Sequence, residues 1–302
     1  MTDQHGRRIV AVVVTFNRLE MLQRQLRRLA EIPELDEVLV VDNASTDGTG
    51  DWLRTVPVTA ESLPTNTGGA GGFSHGLERA MDSGADLVWL MDDDGLPEPD
   101  CLKLLLERDE LDFWGPAVLA SQDPTRLCFP IRLPGGTRVV RDMASVDAAA
   151  VDGLISGVVI PFNGVVVTRE LVEQIGYPRA EFFIWGDDVE YLWRAEAAGA
   201  RIATVAAARV LHPATDDLGT PMMFGRTTYN HSPSDLKHYC MARNNTVNLR
   251  RYRGWPHVLM FWAKTVWFYL LTKPRPARLP MSARAAYAGL RGDFTGHRRY
   301  LA

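Results

Sequence analysis

Three adjacent carboxylates, Asp92, Asp93 and Asp94, directly follow an apolar stretch at residues 87–91. Carboxylates at this spacing repel one another unless a cation lies among them, and the hard cations Mg²⁺ and Mn²⁺ prefer oxygen ligands. Such an ion could act as a Lewis acid on a diphosphate leaving group. We therefore predict a divalent metal site here; the structural alternative is a solvated acidic turn that caps a helix over residues 98–108.

A second acidic group lies at residues 187–190 and opens a segment with the apolar spacing of a helix. Carboxylates at a helix N-terminus gain from its dipole or cap it, which is the structural interpretation. The functional interpretation requires one carboxylate to accept the proton of an attacking hydroxyl group, as general-base catalysis does. We assign that role to Asp188, and we assign Asp187 to orienting the acceptor.

Four short stretches rich in Val, Ile and Leu alternate with segments that are long enough for crossover helices. They lie at residues 9–15, 37–42, 58–63 and 86–91. The first crossover repeats Leu at helical spacing over residues 19–29, which gives a helix with one buried face. This rhythm predicts an α/β fold with a largely parallel sheet and helices on both faces.

Ligands of open α/β sheets bind where the strands end at their carboxyl side. In this sequence the residues that follow the four predicted strands are unusually polar. We therefore predict that they contact the base, ribose and phosphates of a nucleotide. The predicted ligand-binding residues are Thr15, Phe16, Asn17, Arg18, Asp42, Asn43, Asn66, Gly71, Gly72, Asp92 and Asp93, together with Trp185 beside the second acidic group.

The glycine cluster at residues 68–72 would let the backbone approach a ligand closely and open a helix that carries Phe73 and Leu77. It departs from the G-x-G-x-x-G dinucleotide pattern, because Ser74 stands three residues after Gly71. A flexible turn is the structural alternative.

His212 ends another apolar stretch. It could complete the metal shell with Asp92 and Asp94, or contact the diphosphate. A structural histidine is the alternative.

The length of 302 residues and the hydrophobic content of 46% allow a full core. After about residue 112 the strand rhythm loosens into short stretches broken by Pro and Gly, which predicts antiparallel additions. We predict one domain over residues 1–240, with a nucleotide-binding half at 1–112 and an acceptor half at 113–240, followed by a C-terminal region at 241–302. The three cysteines lie far apart, which argues against a zinc site and fits a reducing compartment.

Residues 241–302 hold twelve Lys or Arg and one acid, Asp293, so their net charge is about +11 in a chain whose formal net charge is −4. Within them, residues 255–271 are strongly apolar and aromatic, but they include Lys264 and are shorter than the about 20 apolar residues of a spanning helix. Trp, Tyr and neighbouring basic residues favour the membrane interface. We predict a helix lying in that interface; a buried terminal helix is the alternative.

The segments that carry these candidate residues resemble the large inverting family-2 glycosyltransferases. They are VVVTFNR, VVDNAS, NTGGAGGF, WLMDDDG, FIWGDDVEY and LHP, in this order within residues 9 to about 250. NTGGAGGF, QDPTRLCFPIR, FNG at residues 162–164 and ARNN at residues 242–245 are most similar to the actinobacterial galactofuranosyltransferases that begin the cell-wall galactan. The resemblance implies a GT-A fold, with a Rossmann-like mixed sheet, and an inverting transfer from a nucleotide sugar.

The resemblance also implies a role for individual residues. These are Thr15, Asn17 and Asn43 near the uracil and ribose, Asp92 and Asp94 at the ribose, diphosphate and divalent metal (Mn²⁺ or Mg²⁺), Asp188 as the catalytic base and His212 as a metal ligand. The chain departs from close mycobacterial relatives by having Trp185 and Asp188 where they carry Arg and Glu. Both carboxylates can accept a proton, so the change bears on the choice of acceptor.

The donor implied by the resemblance is UDP-galactofuranose, and the acceptor is a rhamnosyl-N-acetylglucosaminyl diphosphoryl polyprenol. Such an acceptor would explain an apolar, basic C-terminal segment and predicts peripheral association with the cytoplasmic face of the plasma membrane. Assembly of identical chains is compatible with the sequence, and a nucleic-acid partner is not expected, because the aromatic residues of the basic region cluster into one apolar helix.

Other functions fit the sequence less well. A rhamnosyltransferase that uses dTDP-rhamnose shares nearly every segment named above and is the main alternative. A glycoside hydrolase would use two carboxylates but needs no nucleotide-binding strand series. A lectin-like binding protein requires no general base at Asp188.

Overall fold

The computed structural model describes residues 6–136, 138–213 and 219–301. Contacts divide the chain into two compact units. The first unit comprises the described residues of Met1–Pro178 and Tyr191–Ala214, and the second comprises those of Arg179–Glu190 and Thr215–Ala302. The predicted domain boundary at residues 240 and 241 is a different division of the chain and stays a prediction.

The first four strands of the first unit form a parallel sheet in the order β3-β2-β1-β4. These strands are β1 (Ile9–Thr15), β2 (Glu37–Asp42), β3 (Thr59–Ser62) and β4 (Leu87–Asp92), and the helices between them are α1 (Leu19–Leu29), α2 (Thr49–Leu53) and α3 (Gly68–Asp82). The predicted strands and the crossover helix at residues 19–29 are confirmed. The glycine cluster is the first turn of α3, so the alternative of a flexible turn is wrong.

The remaining strands of the first unit extend this sheet with mixed directions. They are β5 (Leu96–Pro97), β6 (Phe113–Ala120), β7 (Asp123–Arg132), β8 (Val139–Asp142), β9 (Leu154–Ser156), β10 (Asn163–Thr168) and β11 (Ile202–His212). Strand β10 runs antiparallel to both β4 and β6, and β6 is parallel to β11. The mixed α/β sheet and the antiparallel additions are confirmed. The prediction of a largely parallel sheet holds for β1 to β4 and for the pair of β6 with β11, but β10 runs antiparallel between β4 and β6.

Helices cover both faces of the sheet, as predicted. They include α4 (Cys101–Leu106), α5 (Met143–Ala149), α6 (Arg169–Ile175) and α7 (Asp187–Ala197) in addition to α1 and α3. In β1, Ala11 lies in the core with Leu22 of α1, and Val12 lies in the core with Leu77 of α3. Both faces of β1 are therefore buried, which explains its uninterrupted apolar sequence.

The second unit is mainly helical. It contains β12 (Thr220–Met222), β13 (Thr227–Tyr229), α8 (Asp235–Tyr252), α9 (Trp255–Trp267), a π-helical turn (Phe268–Thr272) and α10 (Arg278–Leu290). Its core includes Tyr229, Met241 and Phe268. Helix α10 approaches α8 closely at Gly289, where an added Cβ would lie 3.0 Å from the carbonyl oxygen of Arg243.

Helix α9 and the π-helical turn confirm a helical segment at residues 255–271. Only Val258 and Thr265 of α9 are buried, whereas Phe268 and Tyr269 of the π-helical turn lie in the core. The alternative of a buried terminal helix is therefore correct for Phe268 and Tyr269 of the π-helical turn and wrong for most of α9. Throughout the part of the chain that the structure describes, each helix is too short or too polar to cross a bilayer.

Candidate active site

The acidic triad Asp92, Asp93 and Asp94 stands at the end of β4, beside the end of β1. Thr15 donates a hydrogen bond from Oγ1 to Asp93 Oδ2 (2.7 Å), and Arg18 donates from Nη1 to Asp93 Oδ1 (3.1 Å). The same guanidinium forms an ion pair with Asp94. The parallel pairing of β1 with β4 therefore brings together residues that are more than 70 positions apart in the sequence.

His212, at the end of β11, contacts the third carboxylate of the triad. Its Nε2 lies 3.0 Å from Asp94 Oδ1, and its Nδ1 lies 2.7 Å from the carbonyl oxygen of Pro213 and 3.5 Å from Cys128 Sγ. Burial lowers the pKa of His212, but the hydrogen bond and charge of Asp94, together with the hydrogen bond between His212 and Cys128, outweigh it and raise the pKa to about 10. The structure thus brings together Asp94 and His212, two of the three residues predicted to bind the metal, although they lie far apart in the sequence.

The three carboxylates differ in pKa because their partners differ. Burial raises the pKa of Asp92 well above its usual value, and the charges of Asp94 and Asp93 raise it further. Burial also raises the pKa of Asp93, against the lowering effect of Thr15 and Arg18. The pKa of Asp94 is lowered, because His212 and Arg18 outweigh its burial. The triad is therefore a site where a further positive charge is stabilised.

The donor atoms of this site suit a divalent cation. Carboxylate oxygen and imidazole nitrogen are ligand types that Mn²⁺ accepts. A histidine binds a metal as the neutral imidazole, so His212 would have to release the proton on Nε2 that faces Asp94. Asp93 and Asp94 also line a crevice of about 70 Å³, which has room for an ion and water. Among the described residues, no three His, Cys, Asp or Glu side chains already lie close enough together to hold a metal ion.

Gln25 of α1 is a residue of this site that the sequence did not indicate. Its Nε2 donates to the carbonyl oxygens of Asp92 (2.6 Å) and Gly95 (2.8 Å), and the side chain is buried. These two hydrogen bonds hold the backbone of the acidic turn at both of its ends. The available signal was a single polar residue on the otherwise apolar face of α1.

Several predicted nucleotide contacts are used within the protein. Asn43 donates from Nδ2 to the carbonyl oxygen of Gly68 (2.8 Å) and accepts at Oδ1 from the backbone N–H of Thr67 (2.8 Å). Asn17 accepts at Oδ1 from the backbone N–H of Thr46 (2.7 Å). These amides connect the ends of neighbouring strands and loops, and their contact with a nucleotide stays a prediction.

Asp42, Phe16 and Asn66 stand at the same strand ends. Asp42 is buried and accepts from the Ser45 backbone N–H (2.9 Å) and from Ser62 Oγ (3.1 Å). Asn66 accepts at Oδ1 from the N–H of Gly68 (2.7 Å), and 40% of Phe16 is exposed. Phe16 is therefore the most exposed of these three side chains, whereas Asn66 is half-buried and Asp42 is buried.

The glycines of α3 serve helix packing. A Cβ added at Gly72 would lie 2.5 Å from Cγ1 of Val14, and one added at Gly71 would lie 2.4 Å from Cβ of Thr67. The lack of a side chain at Gly72 therefore lets α3 rest on β1, and its lack at Gly71 lets the first turn of α3 close over Thr67. Donor binding at Gly71 and Gly72 stays a prediction.

The second acidic group belongs to the second unit, where Asp187 and Asp188 begin α7. Asp187 is buried, and the Oδ1 of Asp188 accepts from the backbone N–H of Val189 (2.7 Å). Burial raises the pKa of Asp187, and the charge of Asp188 raises it further. Burial also raises the pKa of Asp188. A carboxyl group with a raised pKa is a better proton acceptor near neutral pH, as a general base must be.

The loop before these carboxylates has an unusual backbone. Phe183, Trp185 and Gly186 have φ values of +66°, +71° and +86°. Non-glycine residues in this region cost about 1–3 kcal/mol each, and the conformation persists only where the surroundings hold it. The position of Trp185, a predicted ligand-binding residue, therefore depends on contacts made elsewhere in the second unit.

One face of α8 supplies those contacts. Asn244 donates from Nδ2 to the carbonyl oxygens of Phe182 (3.0 Å), Ile184 (3.2 Å) and Trp185 (2.7 Å). Asn248 donates from Nδ2 to the carbonyl oxygen of Gly186 (2.7 Å). One turn further, Tyr252 donates to Glu190 Oε1 (2.7 Å). The sequence reasoning missed this set, although its polar residues recur at intervals of four, which places them on one helical face.

Comparison with known proteins gives the family. The sequence profile of Glycosyl transferase family 2 matches residues 10–132. The chain is 33% identical over 298 residues to galactofuranosyltransferase GlfT1 of Mycobacterium tuberculosis H37Rv, covering 95% of this chain and 96% of that protein. It is 30% identical to GlfT1 of Mycolicibacterium smegmatis, covering 96% and 99%.

Solved structures share the fold. GalNAc-T7 with UDP, GalNAc and Mn²⁺ has a TM-score of 0.63 at 12% identity, covering 97% of this chain and 58% of that one. Mannosyltransferase PcManGT of Pyrobaculum calidifontis, in complex with GDP-Man and Mn²⁺, has a TM-score of 0.53 at 19% identity, covering 97% and 78%. The GT-A fold implied by the sequence segments is confirmed. The chain is a glycosyltransferase and belongs to glycosyl transferase family 2.

Proposed function

We propose that the protein transfers galactofuranose from UDP-galactofuranose to a polyprenyl-diphosphate-linked acceptor of the rhamnosyl-N-acetylglucosaminyl type in cell-wall galactan synthesis. The observation that carries the proposal is similarity to two GlfT1 proteins along nearly the whole chain. Function lies in the site and not in the fold, so similarity that also spans the predicted acceptor half supports the donor and acceptor more than the family match at residues 10–132 alone.

The residues of the site support an inverting transfer. Asp92, Asp94 and His212 would hold a divalent cation, which would supply Lewis-acid stabilisation of the charge on the departing diphosphate. Asp188 accepts the proton of the acceptor hydroxyl as that oxygen attacks the anomeric carbon, and Asp187 orients the acceptor. Thr15 and Arg18 hold Asp93 and keep the acidic turn in place.

We also propose peripheral association with the cytoplasmic face of the plasma membrane. Leu259, Met260 and Val266 of α9 are 65%, 57% and 41% exposed. Their spacing places them on one side of α9, and exposed arginines precede and follow the helix. Replacing Leu259 and Val266 by Glu should lower sedimentation with anionic vesicles, while the same change at exposed Met21 and Val151 of the first unit should not. Equal loss in both variants would contradict this surface.

Calorimetric titration tests the donor. The purified protein is titrated with UDP, UDP-galactofuranose and dTDP-rhamnose, each with Mn²⁺ and again with EDTA. We expect metal-dependent binding of the uridine ligands in preference to dTDP-rhamnose. Preference for dTDP-rhamnose would replace the proposal by a rhamnosyltransferase, which shares the same strand-end residues, and binding of none of them would contradict both donors.

A further inference from the structure

The second unit contains a cavity of about 270 Å³ that the transfer chemistry does not use. It is lined by Arg179, Val247, Arg250, Arg251, Gly289 and Leu290. Pockets for drug-sized ligands measure roughly 300–1,000 Å³, so this cavity suits a compact, charged group. Three guanidinium groups around one small cavity predict an anionic ligand, because each presents several N–H donors in a fixed fork.

The three arginines of the cavity differ in whether a carboxylate already pairs with them. Arg179 pairs with Glu181 through Nη2 (2.7 Å) and lies over the ring of Phe182, with Cζ 4.7 Å from the centroid. Arg250 and Arg251 lie over aromatic rings, and no carboxylate of the described residues is within ion-pair distance of either. The cavity therefore retains a positive charge of about two, which matches a phosphate or diphosphate.

The cavity is connected to an apolar surface within the same unit. Arg250 lies over Trp255, with Cζ 5.2 Å from the ring, and Trp255 is the first residue of α9. From there the exposed side chains Leu259, Met260 and Val266 continue along the helix. Val247 and Leu290 add apolar walls to the cavity itself. A ligand that combines an anionic group with a long apolar chain would satisfy both surfaces, whereas a nucleic acid would not use the apolar one.

We propose that this arginine cavity binds the diphosphate group of the lipid-linked acceptor, with the prenyl chain directed along α9. The inference rests on the proposed function, which supplies the class of acceptor. It adds the residues that recognise the acceptor's diphosphate, and these are separate from those that hold the donor's diphosphate in the first unit.

Farnesyl diphosphate, a short water-soluble prenyl diphosphate, is the probe. It is titrated below its micelle-forming concentration, without membranes, into protein saturated with UDP and Mn²⁺, so that its binding in the donor site is suppressed. We expect the double variant Arg250→Ala, Arg251→Ala to weaken binding by at least about tenfold, because each guanidinium makes charge-assisted hydrogen bonds. The double variant Arg250→Lys, Arg251→Lys should restore part of the affinity. Farnesol, which lacks the diphosphate, should bind neither the unchanged protein nor the alanine variant.

The matched control is the double variant Arg284→Ala, Arg291→Ala. It removes the same charge from α10 and its C-terminal flank, and Arg291 also lies over an aromatic ring, Tyr287, but neither residue lines the cavity. We expect it to bind farnesyl diphosphate like the unchanged protein. Equal weakening in the two double variants would show a general charge effect and overturn the proposal.

Vesicles containing phosphatidylglycerol separate a diphosphate site from a headgroup site. If the Arg250 and Arg251 variant loses vesicle binding but keeps its affinity for farnesyl diphosphate, the cavity binds lipid headgroups and the proposal is overturned. A separate titration with UDP distinguishes the two levels of inference. If the protein binds farnesyl diphosphate through these arginines but does not bind UDP, the proposed donor is wrong and the proposed role of the cavity stands. If it binds UDP but shows no arginine-dependent binding of farnesyl diphosphate, the proposed role of the cavity is wrong.

Discussion

Asn244 holds the strained loop before the acidic group of α7, with its Nδ2 2.7 Å from the carbonyl oxygen of Trp185. We expect Asn244→Ala to lower kcat roughly 10- to 100-fold, because small misplacements of a catalytic group have effects of this size. UDP affinity should change much less than kcat, since Trp185 is the one predicted nucleotide-binding residue that lies in the second unit and the others lie in the first. Steady-state kinetics and calorimetry measure the two effects.

The control for Asn244 is Thr246→Val. Thr246 is buried in the same helix and donates only to the carbonyl oxygen of Ala242 (2.7 Å), so the variant loses a buried hydrogen bond without touching the loop. A similar loss of kcat in this variant would mean that α8 contributes stability and does not position the loop.

Asp188→Ala should lower turnover roughly 10²-fold or more while UDP binding stays nearly unchanged, because the general base acts only in the chemical step. Glu196→Gln is the control, since it removes a carboxylate from an exposed position of the same helix. Unchanged turnover in Asp188→Ala would remove this residue from the mechanism.

The raised pKa of the two carboxylates predicts a pH dependence. Burial raises the pKa of both Asp187 and Asp188. A general base works only when deprotonated, so kcat/KM should fall as the pH is lowered through the raised pKa, well above the value of about 3.9 for a free aspartate. Rates measured from pH 5 to pH 9 check this. A profile that is flat down to pH 5 would contradict a raised pKa.

His212→Ala should increase the Mn²⁺ concentration needed for half-maximal UDP binding by at least about tenfold, because a nitrogen ligand beside Asp94 is lost. His75→Ala is the control: this histidine of the same unit pairs with Glu61, away from the triad. Calorimetric titration of UDP at a series of Mn²⁺ concentrations gives the comparison. Identical metal dependence in both variants would leave His212 a structural residue.

Gly72→Ala should destabilise the protein by about 1–3 kcal/mol, because the new Cβ meets Val14 at 2.5 Å and both backbones lie in a packed core. Gly69→Ala is matched in helix and residue type but has no atom within 4 Å of the new Cβ. In urea denaturation, the free energy of unfolding of Gly69→Ala should equal or exceed that of the unchanged protein. Equal stability of the two variants would contradict the packing role of Gly72.

Local patterns were sufficient for the parts of the molecule that are built from neighbouring residues. Repeated Val, Ile and Leu predicted β1, β2 and β4, because a strand buried on both faces must be apolar throughout. The parallel order then required the polar residues after these strands to share one edge of the sheet. The hydrogen bond from Thr15 to Asp93 at that edge was not itself predicted.

Pairings between distant residues depended on the tertiary structure. That β10 reverses direction between β4 and β6 follows from contacts across the sheet, which sequence periodicity does not encode. The nucleotide contact predicted for Asn43 stays a prediction, and the sequence did not indicate that both ends of its amide bind the backbone at the start of α3. Which partner a polar side chain finds depends on the phase of its helix and on the register of its strand.

The sequence by itself determined the family, the strand ends and the two acidic groups, because each is a contiguous segment. Only the tertiary structure decided that Asn244 reaches Trp185 across 59 positions, and that Arg179 joins Arg250 and Arg251 around one cavity. The physical reason is that hydrogen bonds and charge clusters act over a few ångströms in space, so that the packing of the helices, and not their order in the chain, selects the residues that meet.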